Sequence, residues 1–266
     1  MSKKLQFKTP ITYYGGKQKM LKHILPNIPK EHSVYTECFF GGGAVFWAKE
    51  PSKVEVINDL NGSVANFYRQ LKESYEQLNL LVQGTLHSRK DYKDARVIYE
   101  NPHLFDDVRC AWAFWMLTQQ GFLSKIGSWG YSKKKDSVTT KIRNKKLLFT
   151  KELAHRLDRT QIECNDAVKV IQSRDMEGAL HFIDPPYINT NMGHYSGYNL
   201  EDYTKLLEAL TTIKGKFILA SFETDVLNRY SIANGWYTMK FVKNLDASSR
   251  KGAKKVEVLT ANYPIE

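Results

Sequence analysis

The sequence predicts an α/β fold with a mostly parallel, seven-stranded sheet and an inserted, largely helical segment. Three observations predict it. Short apolar or β-branched runs recur along the chain, helical patterns lie between several of them, and the alternation breaks over residues 85–159. Strands alternating with helices imply βαβ units, because parallel strands need a crossover that packs back onto the sheet. At 266 residues, with 42% hydrophobic and 12% aromatic side chains, the chain can build one large core or two small ones.

The candidate strands are Val34–Cys38, Val54–Ile57, Gln161–Glu163, Leu180–Ile183, Lys216–Ser221, Thr238–Val242 and Val256–Asn262. After Asn61, an N-cap residue type, Val64, Phe67, Tyr68, Leu71 and Leu78 fall at helical spacing. Tyr203, Leu206, Leu207, Leu210 and Ile213 repeat that pattern. His103–Leu123 reads as one long helix rich in Trp112, Phe114, Trp115 and Phe122. The lysine-rich stretch after it, with Gly127 and Gly130, reads as a hairpin or long loop. The division expected is therefore residues 1–84 with 160–266 as the main domain and 85–159 as an insertion.

Lys and Arg total 39 against 28 acidic residues, a net charge of +11. The excess concentrates in residues 125–159 and again at Arg250, Lys251, Lys254 and Lys255. Such clustering fits a polyanionic partner better than solubility alone, and aromatics beside the lysines favour nucleic acid. Three widely spaced cysteines (Cys38, Cys110, Cys164) form no CxxC, and seven histidines form no metal pattern, so neither a disulfide framework nor a metal site is expected. No apolar run approaches the ~20 residues of a membrane span, and the basic N-terminus leads into no signal-peptide core. A reducing cytoplasm and no membrane partner are the expectation.

Five motifs carry chemistry. Asp184-Pro185-Pro186-Tyr187 follows the apolar run 179–183, so a carboxylate is delivered at the carboxyl end of a strand. The two prolines remove backbone donors and hold the chain extended, leaving carbonyl acceptors beside an aromatic ring suited to stacking on a base. Glu37-Cys38-Phe39-Phe40-Gly41-Gly42-Gly43 is a strand end, a glycine turn and a helix start near Ala44. Glycines let the backbone approach a ligand, and the helix N-terminus offers free N–H groups. Phe46 stands where the dinucleotide fingerprint requires glycine, which favours a nucleoside-type ligand without phosphates. Asp59 closes the second strand, 22 residues after Glu37, and either takes ribose hydroxyls or caps the turn before Leu60. Tyr13-Tyr14-Gly15-Gly16-Lys17 is a turn presenting a lysine, either to a carboxylate or to solvent. Asn165 and Asp166 end the third strand, where they hydrogen-bond an adenine edge or cap a helix. Adenine, ribose, an ammonium and a carboxylate are the ligand groups these sites suit, and S-adenosylmethionine has all four.

Tyr-Gly-Gly-Lys, Glu-x-Phe-x-Gly-x-Gly, Asn-Asp and Asp-Pro-Pro-Tyr, in that order from Thr9 to Tyr263, resemble the Dam-type DNA adenine methyltransferases. The resemblance implies a Rossmann-like methyltransferase fold and transfer of a methyl group from S-adenosyl-L-methionine, leaving S-adenosyl-L-homocysteine, to the N6 of an adenine flipped out of double-stranded DNA. Tyr13, Gly15, Gly16 and Lys17 would meet the cofactor's methionine end. Glu37 with Phe39, Phe40, Gly41, Gly42 and Gly43 would form its floor, Asp59 would hold the ribose, and Asn165 and Asp166 would sit at its adenine. Asp184, Pro185 and Pro186 would hold the target amine, with Asp184 also at the cofactor, and Tyr187 would stack on the base. Lys133, Lys134 and Lys135 are the phosphate candidates; Lys125, Ser128, Trp129 and Arg143 are the candidates to read bases. No segment of Lys125–Phe149 matches the family's target-reading hairpin. The resemblance also implies a bacterial, archaeal or phage-encoded cytoplasmic enzyme, a monomer or weak dimer, and a restriction-modification setting with a cognate endonuclease.

Three other readings stand beside this one: an RNA adenine methyltransferase with the same site chemistry, a catalytically dead DNA-binding module, and a nicotinamide oxidoreductase. The intact Asp184–Tyr187 and Gly41–Gly43 segments weigh against the second, and the broken glycine fingerprint against the third.

Overall fold

The computed structural model describes residues 7–122, 126–133, 137–188, 197–243 and 255–266. Every strand expected from the sequence forms. They are β1 (Val34–Glu37), β2 (Val54–Asn58), β3 (Thr160–Glu163), β4 (Ala179–Ile183), β5 (Lys216–Phe222), β6 (Tyr237–Lys243) and β7 (Lys255–Ala261). They make one seven-stranded sheet in the order β3-β2-β1-β4-β5-β7-β6. β1 runs parallel to β2 and β4, and β4 parallel to β5. β7 lies antiparallel between β5 and β6. All residues of β1 and β4 are buried, Thr36, Glu37 and His181 included, as expected of strands inside a parallel sheet covered on both faces.

The helices are α1 (Leu21–Ile24), α2 (Ala44–Ala48), α3 (Gly62–Glu73), α4 (Tyr75–Gly84), α5 (Arg89–Glu100), α6 (Asp107–Gln120), α7 (Ser137–Leu147), α8 (Lys151–Leu157), α9 (Ala167–Arg174), α10 (Leu200–Leu210) and α11 (Asp225–Asn234). The chain divides into two compact units. One comprises Met1–Leu21, Phe40–Pro51 and Asp59–Cys164; the other comprises Lys22–Phe39, Ser52–Asn58 and Asn165–Glu266.

In the first unit, α6 is the central element. Ala111 and every residue from Ala113 to Gln120 are buried. A helix covered around most of its circumference is a core helix. It is shorter than the sequence predicts. It starts at Asp107, where the Asp106 side chain accepts from Arg109 N (2.9 Å), and a separate 3-10 turn, Pro102–Leu104, precedes it. The helix expected after Asn61 does form with Asn61 as its cap, but it breaks at Ser74 into α3 and α4. After α6 the chain turns into a β-hairpin stem. Gly121 pairs with Trp129, Phe122 N donates to Ser128 O (2.7 Å) and Gly130 N donates to Gln120 O (2.7 Å). The hairpin left open by the lysine-rich stretch therefore begins earlier than Lys125.

In the second unit, α9 and α10 pack on the sheet around Val56, Ile183, Leu206, Leu207, Phe217 and Leu219, all buried. The Asn199 side chain caps α10 by accepting from Glu201 N and Asp202 N, while Asp202 caps back onto Asn199 N.

Candidate active site

The strand order reverses its winding between β1 and β4, and open α/β sheets bind ligands at the carboxyl ends of the strands beside such a switch. Glu37, the last residue of β1, is in register with Phe182 of β4. Asp184 lies two residues further on, so adjacent parallel strands bring two carboxylates to the same edge of the sheet. Glu37 is buried and its Oε2 accepts from the Tyr35 hydroxyl (2.9 Å). Asp184 is half-buried. Pro185 and Pro186 are buried, with no cis peptide bond among the described residues.

Tyr187 is fixed from two sides. Its hydroxyl donates to Glu257 Oε1 (2.8 Å), and its ring lies 4.2 Å from that of Phe222 at 51°. The register of β5 and β7 places Phe222 opposite Glu257, which is how both reach the same ring. Burial pushes the Tyr187 phenol well above its ordinary value, and the charges of Asp184 and Glu257 push it further. The crevice lined by Pro185, Pro186, Tyr187, Ile188 and Phe222 holds about 10 Å³, room for one water rather than a nucleobase.

Asn165 and Asp166 take the capping option. Asp166 Oδ1 accepts from Lys169 N at the start of α9, and Asn165 Oδ1 accepts from Asp166 N. Asn165 is tied to the sheet by Asn58, whose side chain donates to Asn165 O (2.9 Å) and Cys38 O (3.0 Å) and accepts from Asn165 N (2.9 Å). Phe39 is half-buried and meets Tyr198 edge to face at 5.9 Å. The Tyr198 hydroxyl is buried and has no hydrogen-bond partner among the described residues. Burial raises its pKa, with Tyr203, Asp202 and Asp166 adding to the shift.

The glycine turn, in the other unit, is shaped by its own neighbours. Gly41 has φ +47°, and a Cβ there would stand 2.7 Å from the Tyr13 ring. Gly43 has φ +63°, and a Cβ there would stand 2.3 Å from the Phe40 ring. The close approach expected for a ligand is thus one these aromatic side chains already demand. Phe40 is buried against Phe46 and Tyr68. The helix expected near Ala44 starts there and has five residues.

Asp59 is buried and takes the turn-bracing role. Oδ2 accepts from Gly41 N (2.8 Å) and Oδ1 from Asn61 N (2.9 Å). Each oxygen keeps room for one further donor, as a carboxylate accepts about four. Burial raises its pKa to about 6, against the pull of the two backbone N–H groups. Gly15, φ +81°, and Gly16, whose N–H donates to Tyr13 O (3.3 Å), make the turn before Lys17. Lys17 is buried and donates to Gly15 O (3.0 Å) rather than standing in solvent.

Of the proposed nucleic-acid residues, Ser128, Lys133 and Arg143 are exposed, and Trp129 is half-buried on the hairpin. Lys125, Lys134 and Lys135 lie outside the described residues, as do His194, Arg250, Lys251 and Lys254. Four members of the basic run already have partners within the protein, Lys151 at its surface. Lys145 donates to Thr9 O, and burial lowers its pKa to about 8. Lys146 donates to Gln83 O and Thr85 O, Lys151 pairs with Glu76, and Arg156 lies 3.7 Å over the Phe46 ring. Among the described residues no His, Cys, Asp and Glu cluster could hold a metal, and no helix is long and apolar enough to cross a membrane.

Sequence reading missed Asn58, Glu257 and Tyr198. A carboxylate inside the apolar run of β7 was a signal for Glu257; nothing local marked the other two.

The chain is 28% identical to the type II methyltransferase M1.LlaDCHI of Lactococcus lactis subsp. cremoris, over 94% of this chain and 93% of that one. It is 29% identical to a DNA N-6-adenine-methyltransferase of Escherichia phage P1 over 74% of this chain and 27% of that protein. A 68-residue stretch is 35% identical to the modification methylase StsI of Streptococcus sanguinis, covering 26% of this chain and 10% of that one. The family profile described as D12 class N6 adenine-specific DNA methyltransferase matches residues 13–260, nearly the whole chain, and the protein belongs to that family.

Proposed function

We propose that this DNA adenine methyltransferase takes its methyl group from S-adenosylmethionine and uses Asp184, Pro185 and Tyr187 to act on an adenine turned out of the duplex. The observation that carries the reading is the end of β4. It delivers Asp184 and a rigid carbonyl next to the end of β1, at the switch point of the sheet, in a chain whose family methylates adenine N6.

The exocyclic amine is a poor nucleophile because its lone pair is delocalised into the ring. Hydrogen bonds from the amine to the Asp184 carboxylate and the Pro185 carbonyl draw that lone pair out of conjugation and stabilise the positive charge that grows on nitrogen. Preorganised contacts of this kind are worth roughly 3 kcal/mol each. The sulfonium donor supplies its own activation when bound. The chain's share is alignment, with the Tyr187 ring held by Glu257 and Phe222 as a stacking surface.

For the cofactor, the fit is best at Asp59, whose oxygens retain acceptor capacity for ribose hydroxyls. Phe39 and the buried hydroxyl of Tyr198 join Asn165 and Asp166 as candidates for the adenine, since the side-chain hydrogen bonds of the last two engage only one oxygen of each. Tyr13, Lys17 and Glu37 are assigned to the methionine end.

Expression in a host free of DNA methylation, followed by sequencing that maps modified bases, tests the reading. N6-methyladenine at one recurring motif is the expected result. Unmodified genomic DNA, or methyl groups in structured RNA instead, would overturn it.

A further inference from the structure

We propose that a cleft on the helical unit, separate from the Asp184 site, seats one nucleotide of the substrate duplex, with its phosphate on Arg143. The proposal rests on the DNA methyltransferase reading and adds an anchoring point that the reading does not contain.

The cleft has a volume of about 370 Å³, within the range that small organic ligands occupy. One wall is the segment after α4, with Leu86 and His87; the other is α7. Thr139, Ile142, Arg143 and Lys146 fall at i, i+3, i+4 and i+7, so a single face of α7 lines it. Among the described residues no Asp or Glu lines the cleft. Its apolar lining is buried Ile142 with the exposed Leu86 and Leu147, and its polar side chains are cationic or neutral. That combination suits a sugar against the apolar residues and a phosphate beside Arg143.

Two groups in it are uncommitted. Thr139 Oγ1 is buried and has no hydrogen-bond partner among the described residues. Arg143 is exposed and makes no ion pair among the described residues, whereas Lys145, Lys146, Lys151 and Arg156 nearby are all spent on the protein. A hydroxyl and a guanidinium one helical turn apart are a donor set for a phosphodiester.

The cleft is held open by construction. Lys146 Nζ bonds to Gln83 O and Thr85 O, and Gln83 Nε2 returns a bond to Lys146 O (3.0 Å), so α7 is pinned to the opposite wall at its C-terminal end. His87 is locked to the hairpin. It stacks on Trp129 (4.5 Å, 20°) and its Nε2 bonds to Gly130 O (3.0 Å), and Trp129 stacks in turn on Tyr131, with Arg89 over both rings. A nucleotide in the cleft therefore stands beside the hairpin that carries Ser128 and Trp129.

A methylphosphonate scan tests this. Duplexes bearing one neutral linkage at each successive position are titrated with the wild-type protein, Arg143→Ala and Thr139→Val, at several salt concentrations. One linkage should weaken wild-type binding about tenfold and leave Arg143→Ala unaffected. The log–log salt slope of Arg143→Ala should be smaller by about 1, and Thr139→Val should be less sensitive than the wild type to the same linkage. Equal sensitivity of wild type and Arg143→Ala at every linkage, or an unchanged slope, overturns the cleft proposal. Failure of the wild-type protein to bind or methylate DNA overturns the methyltransferase reading itself, a distinct result. Arg143 is exposed, so its replacement leaves folding intact, and equal melting temperatures verify that.

Discussion

Asp59 is a buried acid with a structural task and, in the function proposed, a ribose to hold. Its carboxylate braces Gly41 and Asn61, and burial raises its pKa to about 6. Above that pH the ionised group opposes folding by about 3 kcal/mol. Hydroxyl donors from a ribose favour the ionised form, so binding lowers the pKa and expels a proton. Cofactor affinity should thus fall by up to about tenfold per pH unit below 6 and level off above it. Calorimetric titration between about pH 5 and 8 checks this, and a flat profile removes Asp59 from the cofactor. At Tyr187, replacement by Phe keeps the ring but takes one donor from buried Glu257. That should cost about 1–3 kcal/mol in urea denaturation. The carboxylates were legible in the sequence because they stand at strand ends. Asn58 was not, and the role of Glu257 was not, because only the fold brings them to Asn165 and Tyr187.

Among elements, the glycine turn and the β1–β4 pair are each held by their own packing. Gly43→Ala should cost about 2–4 kcal/mol, since the new methyl meets a Phe40 ring already packed against Phe46 and Tyr68. Gly15→Ala, with open space and only a positive φ to oppose it, should cost about 1–2 kcal/mol. Thermal denaturation of both variants checks the ranking; equal costs would mean that Phe40 yields. Between β1 and β4, the fully buried His181 ring shares a hydrogen bond with Thr36 Oγ1 (2.7 Å), and burial lowers its pKa against the pull of Asp175. Its folded pKa lies below the unfolded 6.5, so its share of stability is intact above 6.5 and drains as pH falls below it. His181→Gln should remove that part of the urea-midpoint slope between about pH 7 and 5. The strands were readable because each carries a short apolar or β-branched run, even with Thr36 in β1 and His181 in β4. The break at Ser74 was not, because the apolar pattern of α3 and α4 runs through it. The start of α6 was marked by Asp106 after Pro102, a cap signal that the aromatic run obscured.

For the whole molecule, the charge of +11 is informative only after subtraction. Lys145, Lys146 and Arg156 serve the fold, so the surface that meets DNA rests on fewer groups than the sequence counts. Burial, which decides the matter, is a property of packing and leaves no trace in composition. The triple replacement of Lys133, Lys134 and Lys135 by Gln should weaken binding to all duplexes alike. It should also flatten the salt slope by about 1 for each phosphate that these lysines neutralise. An unchanged slope would remove them from the DNA surface.

The most direct measurement is a single-turnover transfer of labelled methyl from S-adenosylmethionine to duplex DNA by the wild-type protein and Asp184→Ala. Label on adenine N6 is the expected result with the wild type. In the variant the rate should fall about a hundredfold or more, with DNA affinity preserved. Transfer by Asp184→Ala at close to the wild-type rate would contradict the role of Asp184.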